Sequence, residues 1–418
     1  MSTGFPIAAL LAWLLAATYY FYQYALRSAP SVMMPQLSAA FGVNALGVAS
    51  IVGMFYYGYS PFSLVAGAAM DRYGAKRILP VGAAMVGTGA LLFSTGDSVV
   101  ASCGRFLQGA GGVFALVGAI YIATKYFPAS YAASLIGATQ MFGMAGGSAG
   151  QFFVGPLITR GLAWEQFWIA TGVMGLAISA TLLILLPADE RKTRDVGGLS
   201  SVLGSLRTVF SNPQSILCGL IAGLLFIPTT IFDMTWGVRF LQEGRGREYE
   251  DAVRIAATVP FGWMIGCPLL GFVSDRIGRR KPVIFGGSLV LLGVLAWALF
   301  GVHGVFRGAA VGLVMGIASG AAMLPYTVIK EVNPPELSGS ATGVVNFINF
   351  TFSALLGPVF GRLLVQASEG SERLDLEHYQ ATFRPMLFGI AAAMLLTCAL
   401  RETGPANRTV RKWGTETT

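Results

Sequence analysis

The sequence is poor in charge: Asp, Glu, Lys and Arg make up only 11% of its 418 residues, whereas soluble proteins carry about 25%. Hydrophobic residues make up 54%, and the mean hydropathy is +0.65. This balance excludes a water-soluble fold. A membrane β-barrel would need segments of about ten residues that alternate polar and apolar, whereas the apolar runs here are continuous and long enough to cross a bilayer as helices. We therefore predict an all-α membrane protein.

Cysteine and histidine are also scarce, with four cysteines and two histidines in the chain. The cysteines are scattered through apolar segments without paired spacing, and His303 and His378 lie in separate loops, so neither a disulfide nor a metal site is expected. A phosphate-binding Gly-x-x-x-x-Gly-Lys loop is missing as well. These absences argue against an enzyme and against a cofactor.

The apolar runs predict twelve membrane spans. The N-terminus has no Lys or Arg before its apolar run and no evident cleavage site, which indicates a retained first span rather than a signal peptide. The expected organisation is an N-terminal six-helix bundle at 1–187, a linker at 188–213, a C-terminal six-helix bundle at 214–401 and a tail at 402–418. The spans are predicted at 6–37, 44–69, 78–95, 99–124, 132–159, 164–187, 214–241, 252–273, 282–300, 306–330, 339–366 and 384–400.

The Lys and Arg residues that give the net charge of +8 are unevenly distributed along the chain. If both termini are cytoplasmic, 17 of the 28 Lys and Arg residues lie in cytoplasmic segments and 6 on the opposite side. Such an excess marks the cytoplasmic face of membrane proteins. We therefore predict cytoplasmic termini in the cell (inner) membrane, with the lipid bilayer and not nucleic acid as the partner.

One segment of the chain occurs twice. GAAMDRYGAKR at 67–77 recurs as GFVSDRIGRRK at 271–281, with an offset of 204 residues. Each copy follows an even-numbered span and fills a short predicted cytoplasmic loop. Internal repeats of this kind are typical of transporters built from two related halves.

These two Asp-Arg loops, after the second and eighth spans, resemble the major facilitator superfamily, and the resemblance covers essentially the whole chain. It implies two pseudo-symmetric six-helix bundles that rock about a central site near the bilayer midplane. We expect a monomer. The loops are predicted to form a cytoplasmic gate, with a membrane-edge anchor as the alternative. The gate residues are Asp71, Arg72, Gly74, Arg77, Asp275, Arg276, Gly278 and Arg280, with Lys330 and Glu331 at the end of span ten.

A second resemblance to the superfamily is GRFLQGAGG at 104–112 in span four. We predict a structural role for Arg105, through hydrogen bonds to the backbone of a neighbouring helix. A part in proton coupling is the alternative.

Arg27 is the leading candidate for substrate contact, because an ionisable side chain inside a span costs about 2.5–3.5 kcal/mol on insertion scales. Tyr20, Gln23, Tyr24 and Arg27 fall at i, i+3, i+4 and i+7 of a helix and form one polar and aromatic stripe. We do not expect this stripe to face lipid. Snorkelling of Arg27 to the outer interface, or pairing with an internal acid, is the alternative.

The segment YALRSAPSVMMPQ at 24–36, followed by FGV at 41–43, resembles the first span of superfamily branches that carry organic anions and organic phosphates. In those branches an arginine at this position binds the anion, which implies the same role for Arg27. Its planar guanidinium suits two-point pairing with a carboxylate. The phosphate carriers have another arginine in span seven, where the offset of 204 gives Ile231 here; this difference favours a monovalent carboxylate.

Asp233 is the acidic residue that we place well inside a span, on a stripe with Thr229 and Trp236. Burial favours the neutral form of a carboxyl group and a nearby arginine favours the charged form. Asp233 could thus take up a proton on one side and release it on the other, and we predict it as the proton-coupling residue. A static ion pair with Arg27 or Arg239, or a polar residue at the outer rim, is the alternative.

Spans ten and eleven each carry a polar face. The two asparagines of span eleven are costly in lipid and must meet substrate, water or a neighbouring helix. The faces are Ser319, Met323, Tyr326 and Lys330 on span ten and Thr342, Asn346, Asn349 and Ser353 on span eleven. The predicted substrate-binding residues are Arg27, Tyr24, Gln23, Tyr20, Asn346, Asn349, Trp236 and Tyr326.

The predicted function is proton-coupled symport of a small organic carboxylate by alternating access. A proton-driven drug exporter is one alternative, although such exporters resemble one another in a fifth-span Gly-Pro-x-x-Gly-Gly ending, and the segment from Gly155-Pro156 lacks the closing glycines. A carrier of zwitterionic amino acids or peptides is the other, with the carboxylate at Arg27 and the amine at Asp233.

Overall fold

The chain folds into helices and connecting turns in the part that the structure, a computed structural model, describes. The described residues are 7–127, 129–187, 199–302, 308–369 and 374–404. A helix pairs its backbone N–H and C=O groups within itself, which the hydrocarbon core of a bilayer requires. The prediction of an all-α membrane protein is confirmed.

The first half of the chain forms eight helices, and its first span is interrupted. Pro30 and Pro35 cannot donate a backbone hydrogen bond, and a 3-10 turn at Ala29–Val32 separates the first two helices. The helices are α1 (Ile7–Ser28), α2 (Met34–Phe41), α3 (Ala45–Tyr73), α4 (Ala75–Phe93), α5 (Ser98–Tyr126), α6 (Ala129–Phe152), α7 (Val154–Thr159) and α8 (Trp164–Leu185).

The described part of the second half also contains eight helices, and two of its spans are irregular. Span seven passes from α-helix into π-helix at Pro228–Gly237 and again at Phe240–Gly244, and span ten contains a 3-10 turn at Gly320–Met323. The helices are α9 (Leu199–Phe210), α10 (Pro213–Ile227), α11 (Tyr249–Ile277), α12 (Lys281–Phe300), α13 (Gly308–Ser319), α14 (Leu324–Glu331), α15 (Ser338–Ala367) and α16 (Leu376–Ala399).

The repeat found in the sequence is also a repeat of structure. The helices α3 and α11, which end in the two Asp-Arg loops, are both 29 residues long, and they begin and end 204 residues apart. The stretch between the halves is not entirely a loop, because α9 lies within the predicted linker. Its Phe210 packs against Phe347 of α15, with ring centroids 6.0 Å apart.

Many of the helices have the length and composition of membrane spans. Among the described residues, nine are long and apolar enough to cross a membrane, and a tenth is counted if Met34–Phe41 and Ala45–Met70, bent by 100°, form one span. The predicted first and fifth spans are helical but are not among the nine. Large apolar side chains such as Ile184, Phe388 and Leu395 are 70–73% exposed, as expected of a surface that faces lipid.

Within the N-terminal bundle, small residues let helices approach closely. A Cβ atom added to Gly109 of α5 would lie 1.9 Å from the carbonyl oxygen of Phe55 on α3, so no larger residue fits there. Close contact through glycine is how helices associate in lipid, where the hydrophobic effect between helices is absent.

The two bundles meet along two helix pairs, α3 with α15 and α6 with α11. Ser60 of α3 donates to the carbonyl oxygen of Phe347 at 2.9 Å, and its hydroxyl lies 2.8 Å from that of Thr351. In the second pair, Ser148 of α6 donates to the carbonyl oxygen of Ala257 at 2.8 Å. These polar contacts hold the bundles together around a central region.

Candidate functional site

The central feature between the bundles is a buried cation inside an aromatic cage. Arg27 is only 2% exposed, although it carries a charge that is costly to bury. Its guanidinium carbon lies 4.9–5.7 Å from five ring centroids, a range that suits cation–π attraction. The rings are Tyr24 on α1, Phe55 and Tyr56 on α3, Phe226 on α10 and Phe350 on α15.

The hydrogen-bonding capacity of Arg27 is largely unused. Its Nε donates to the hydroxyl of Tyr56 at a long 3.4 Å, while Nη1 and Nη2 have no hydrogen-bond partner among the described residues. Rings compensate the charge in part, but they do not replace acceptors for the N–H groups. The guanidinium therefore presents two nitrogens that could donate hydrogen bonds to an anion.

The cage is assembled from both bundles and closed in this structure. Phe226 and Phe350 come from the C-terminal bundle, and Phe350 lies 4.4 Å from Tyr59 of α3, centroid to centroid. All five cage rings are 5% exposed or less. Movement of one bundle relative to the other would open the cage.

The other residues of the predicted stripe on α1 point to different partners. Tyr20 donates to Gln140 on α6 at 2.9 Å, and its ring contacts that of Tyr24 at 5.0 Å. Gln23 is 1% exposed, and neither atom of its amide has a partner among the described residues. It faces Gly112 of α5, where an added Cβ would lie 3.0 Å from Gln23 Oε1.

A neutral polar cluster lies on the C-terminal side. Tyr326 of α14 donates to Asn346 Oδ1 at 2.7 Å and accepts from Asn349 Nδ2 at 2.9 Å. Asn346 Nδ2 and Asn349 Oδ1 have no partner among the described residues. The structure thus brings together three predicted substrate-binding residues.

Asp233 lies in the π-helical segment of span seven and is 2% exposed. Its carboxyl group interacts with the amide of Gln151 on α6, which donates to Ser31 at 3.3 Å. Its Oδ2 has no partner among the described residues. Asp233 therefore belongs to an interface between the bundles, and the geometry does not show the ion pair with Arg27 or Arg239.

The π-helix changes the stripe expected on span seven. Its hydrogen bonds run from i to i+5, so each turn holds more residues, and Trp236 no longer lies on the face of Thr229 and Asp233. Thr229 accepts from Trp263 at 2.8 Å, Asp233 faces Gln151, and Trp236 lines a separate cavity. The three side chains thus contact different partners, and the expected stripe of Thr229, Asp233 and Trp236 is not continuous.

That separate cavity, of about 480 Å³, opens between the bundles at the end opposite the Asp-Arg loops. Arg239 lies in its wall and pairs with Glu243 at 2.7 Å. Trp236 lines this cavity, whereas none of the five cage rings is among the described residues of its wall. The cavity is large enough for a small ligand.

Arg105 of α5 is buried at 1% exposure and bonds to its surroundings. It donates to the carbonyl oxygens of Leu26 on α1 at 3.2 Å and Val52 on α3 at 3.4 Å, and to Gln108 at 2.6 Å. These contacts tie three helices of the N-terminal bundle together.

The second Asp-Arg loop forms an ionic cluster within the C-terminal bundle. Arg280 pairs with Asp275 and, at 3.0 Å, with Glu331 of α14, and Glu402 accepts from its backbone N–H at 2.6 Å. Burial by itself lowers the pKa of Arg280, but the hydrogen bonds and charges of Glu331 and Asp275 raise it above the usual value. These pairs do not cross to the other bundle.

The first copy of the loop shares the helix-ending glycine of the second. The side chains of Asp71 and Arg72 lie outside what the structure describes, and Arg77, like Arg276 in the second copy, is exposed. Gly74 and Gly278 end their helices with φ of +76° and +73°, values that favour glycine. The motif glycines are thus explained by backbone conformation. Lys330 is half-buried on α14 beside Glu331.

Four cage rings, Phe55, Tyr56, Phe226 and Phe350, were not predicted from the sequence, nor were Gln140 and Gln151. Phe350 follows Asn346 by four residues, and this helical spacing was a usable signal. The rings of α3 and α10 lie on other spans, so only the packing of the bundles brings them to Arg27.

Comparisons with known sequences and with known structures agree on the family and fold of this chain. The sequence profile of the Major Facilitator Superfamily matches residues 16–358. Among solved structures, a bacterial homolog to the human lysosomal transporter Spinster, in an inward-facing and unoccupied conformation, superposes with a TM-score of 0.72 at 15% identity. The superposition covers 95% of this chain and 97% of that chain, which supports the fold.

Curated relatives are similar over about four fifths of the chain. The hexuronate transporter of Bacillus subtilis is 26% identical, covering 81% of this chain and 84% of that protein. The 4-hydroxybenzoate transporter PcaK of Pseudomonas putida is 25% identical, covering 81% and 82%. The multidrug resistance protein Stp of Mycobacterium tuberculosis is 24% identical, covering 80% and 72%.

Proposed function

Because this chain belongs to the major facilitator superfamily and is therefore a membrane transporter, we propose that it carries a small organic carboxylate by proton-coupled symport. The observation that carries this proposal is the buried guanidinium of Arg27, whose two Nη atoms have no partner among the described residues and whose cage is built by both bundles. A carboxylate would neutralise the charge and accept a hydrogen bond from each of the two Nη atoms.

Alternating access follows from the same geometry. The rocking units are residues 1–187 and 214–401, and the residues between them link the two. Because Phe226 and Phe350 contact Arg27 from the second unit, rocking would remove part of the cage and expose the anion to one side. The cluster of Arg280, Asp275 and Glu331 would set the shape of the cytoplasmic end of the second unit.

Asp233 is the proposed proton-coupling residue. It is buried at the contact between the bundles and keeps one carboxylate oxygen without a partner among the described residues. Protonation would change its interaction with Gln151, and with it the contact between α6 and span seven. A proton could then favour one arrangement of the bundles over the other.

The excess of Lys and Arg on one side supports cytoplasmic termini in a cell inner membrane. Since each chain contains both bundles and the central site, a monomer suffices for transport. The similarity to a hexuronate and a 4-hydroxybenzoate transporter supports an organic anion as substrate.

Uptake into proteoliposomes tests this function. Radiolabelled hexuronate and 4-hydroxybenzoate are offered with and without an inwardly directed proton gradient, and we expect accumulation of an anion that depends on the gradient. Similarity to Stp makes a drug exporter the second candidate. Proton-driven extrusion of cationic dyes without anion uptake would favour that candidate and contradict ours.

A further inference from the structure

We propose that the transported anion also carries a hydroxyl group, which binds between Asn346 and Asn349. This inference rests on the proposed function, because it concerns the far end of the same substrate. The cluster of Tyr326, Asn346 and Asn349 leaves one hydrogen-bond donor and one acceptor without a partner among the described residues.

The hydrogen bonding of this cluster fixes what remains for a ligand. A phenol hydroxyl has one hydrogen, so Tyr326 donates to one asparagine and accepts from the other. One amide NH₂ group and one amide carbonyl are therefore left over, here Asn346 Nδ2 and Asn349 Oδ1. Reversing both amides would exchange the two roles and still leave one donor and one acceptor.

Both leftover atoms are deeply buried. Asn346 is 2% exposed and Asn349 is 1% exposed, and neither atom bonds to a described residue. A buried polar group without a partner is costly, and native structures contain few of them. Two such atoms, on amides that share the hydroxyl of Tyr326, indicate a place where a ligand supplies the missing bonds.

The cluster is adjacent to the aromatic cage. Asn346 and Phe350 are four residues apart on α15 and share a helix face, about one turn from each other. The ring of Phe350 lies 4.9 Å from the guanidinium carbon of Arg27. A molecule of a few carbons could thus place a carboxylate at Arg27 and a second group at the asparagines.

The chemistry of the second group follows from the pair of atoms. A hydroxyl both donates and accepts, so it satisfies Asn346 Nδ2 and Asn349 Oδ1 together. An ammonium group only donates and leaves the NH₂ unpaired; a second carboxylate only accepts and leaves the carbonyl unpaired. The site therefore favours hydroxylated monocarboxylates over amino acids and over unsubstituted dicarboxylates.

Matched pairs of ligands that differ by one hydroxyl test this inference. We would measure inhibition of anion uptake, and binding to purified protein, with 4-hydroxybenzoate against benzoate and 3-hydroxybutyrate against butyrate. Wild-type protein should prefer the hydroxylated member of a pair roughly tenfold to a hundredfold, since one buried hydrogen-bonding site would otherwise stay unpaired.

Variants separate the two ends of the site. Asn346→Leu and Asn349→Leu should weaken binding of the hydroxylated member more than that of the deoxy member, so the preference falls to within about twofold. Thr342→Val is the matched control on the same helix face, because the Thr342 hydroxyl already bonds to Ser338; it should keep the preference. Arg27→Gln should weaken both members alike.

The outcomes distinguish this inference from the function beneath it. If wild-type protein binds both members of each pair equally, the hydroxyl site is refuted while the anion site stands; this comparison needs no variant. If wild-type protein binds none of the four acids and takes up no hexuronate, the proposed function fails and this inference fails with it.

Discussion

The two bundles repeat each other in topology but supply different chemistry to the centre. The N-terminal bundle contributes a fixed cation, Arg27, on a regular α-helix, and its irregular turn at Ala29–Val32 follows the arginine. The C-terminal bundle contributes an acid in a π-helix, a tyrosine just after a 3-10 turn and two neutral amides on α15. The N-terminal bundle thus supplies the positive charge, and the C-terminal bundle supplies the acid and the neutral hydrogen-bonding groups.

This division has a physical reason. Burial of the Arg27 guanidinium is costly, and the hydrogen bonds of Arg105 to α1 and α3 hold the helices around it in place. Irregular helical segments, in contrast, often mark functional sites in helices. The C-terminal bundle is therefore where we expect proton binding and substrate shape to change the structure.

The largest expected effect is on the fixed cation. Arg27→Lys should reduce transport at least about a hundredfold, since an ammonium cannot pair with a carboxylate through a planar fork. Uptake and counterflow in proteoliposomes measure this, with gel filtration to show that the variant is folded. Arg254→Lys, at an exposed surface pair with Glu250, is the matched control and should transport normally. Normal transport by Arg27→Lys would refute the anion site.

The next effect separates coupling from binding. Asp233→Asn should retain counterflow exchange within about twofold and lose gradient-driven accumulation by roughly tenfold or more, because an amide cannot gain or release the proton. Both assays use the same proteoliposomes. Asp97→Asn makes the same change at an exposed helix N-cap, where asparagine caps equally well, and should leave both assays unchanged. Loss of both activities, or of neither, argues against Asp233 as the coupling residue.

The smallest effect tests the part of the cage that the C-terminal bundle closes. Phe350→Leu removes one ring 4.9 Å from Arg27, so KM should rise by about three- to tenfold, the range of one cation–π contact. Phe360→Leu is the same change on the same helix, where the ring stacks on Phe383 at 5.8 Å instead. An equal effect of the two substitutions would mean that the rise reflects packing of α15 and not the cage.

Much of this protein could be predicted from its sequence. Low charge and long apolar runs led to membrane helices, because a bilayer accepts only backbone that is internally hydrogen-bonded. The offset of 204 residues gave the two-fold organisation, and the glycines of both loops follow from their positive φ. Arg27 was identified because a charge inside a span is costly, whatever its surroundings.

Tertiary structure decided what surrounds those residues. The cage of Arg27 comes from four helices, two in each bundle, and Asp233 meets Gln151 of the other bundle rather than an arginine. Which amide atoms of Asn346 and Asn349 remain free depends on one hydroxyl hydrogen of Tyr326. Such features arise from contacts between distant segments, so periodicity within a single span cannot reveal them.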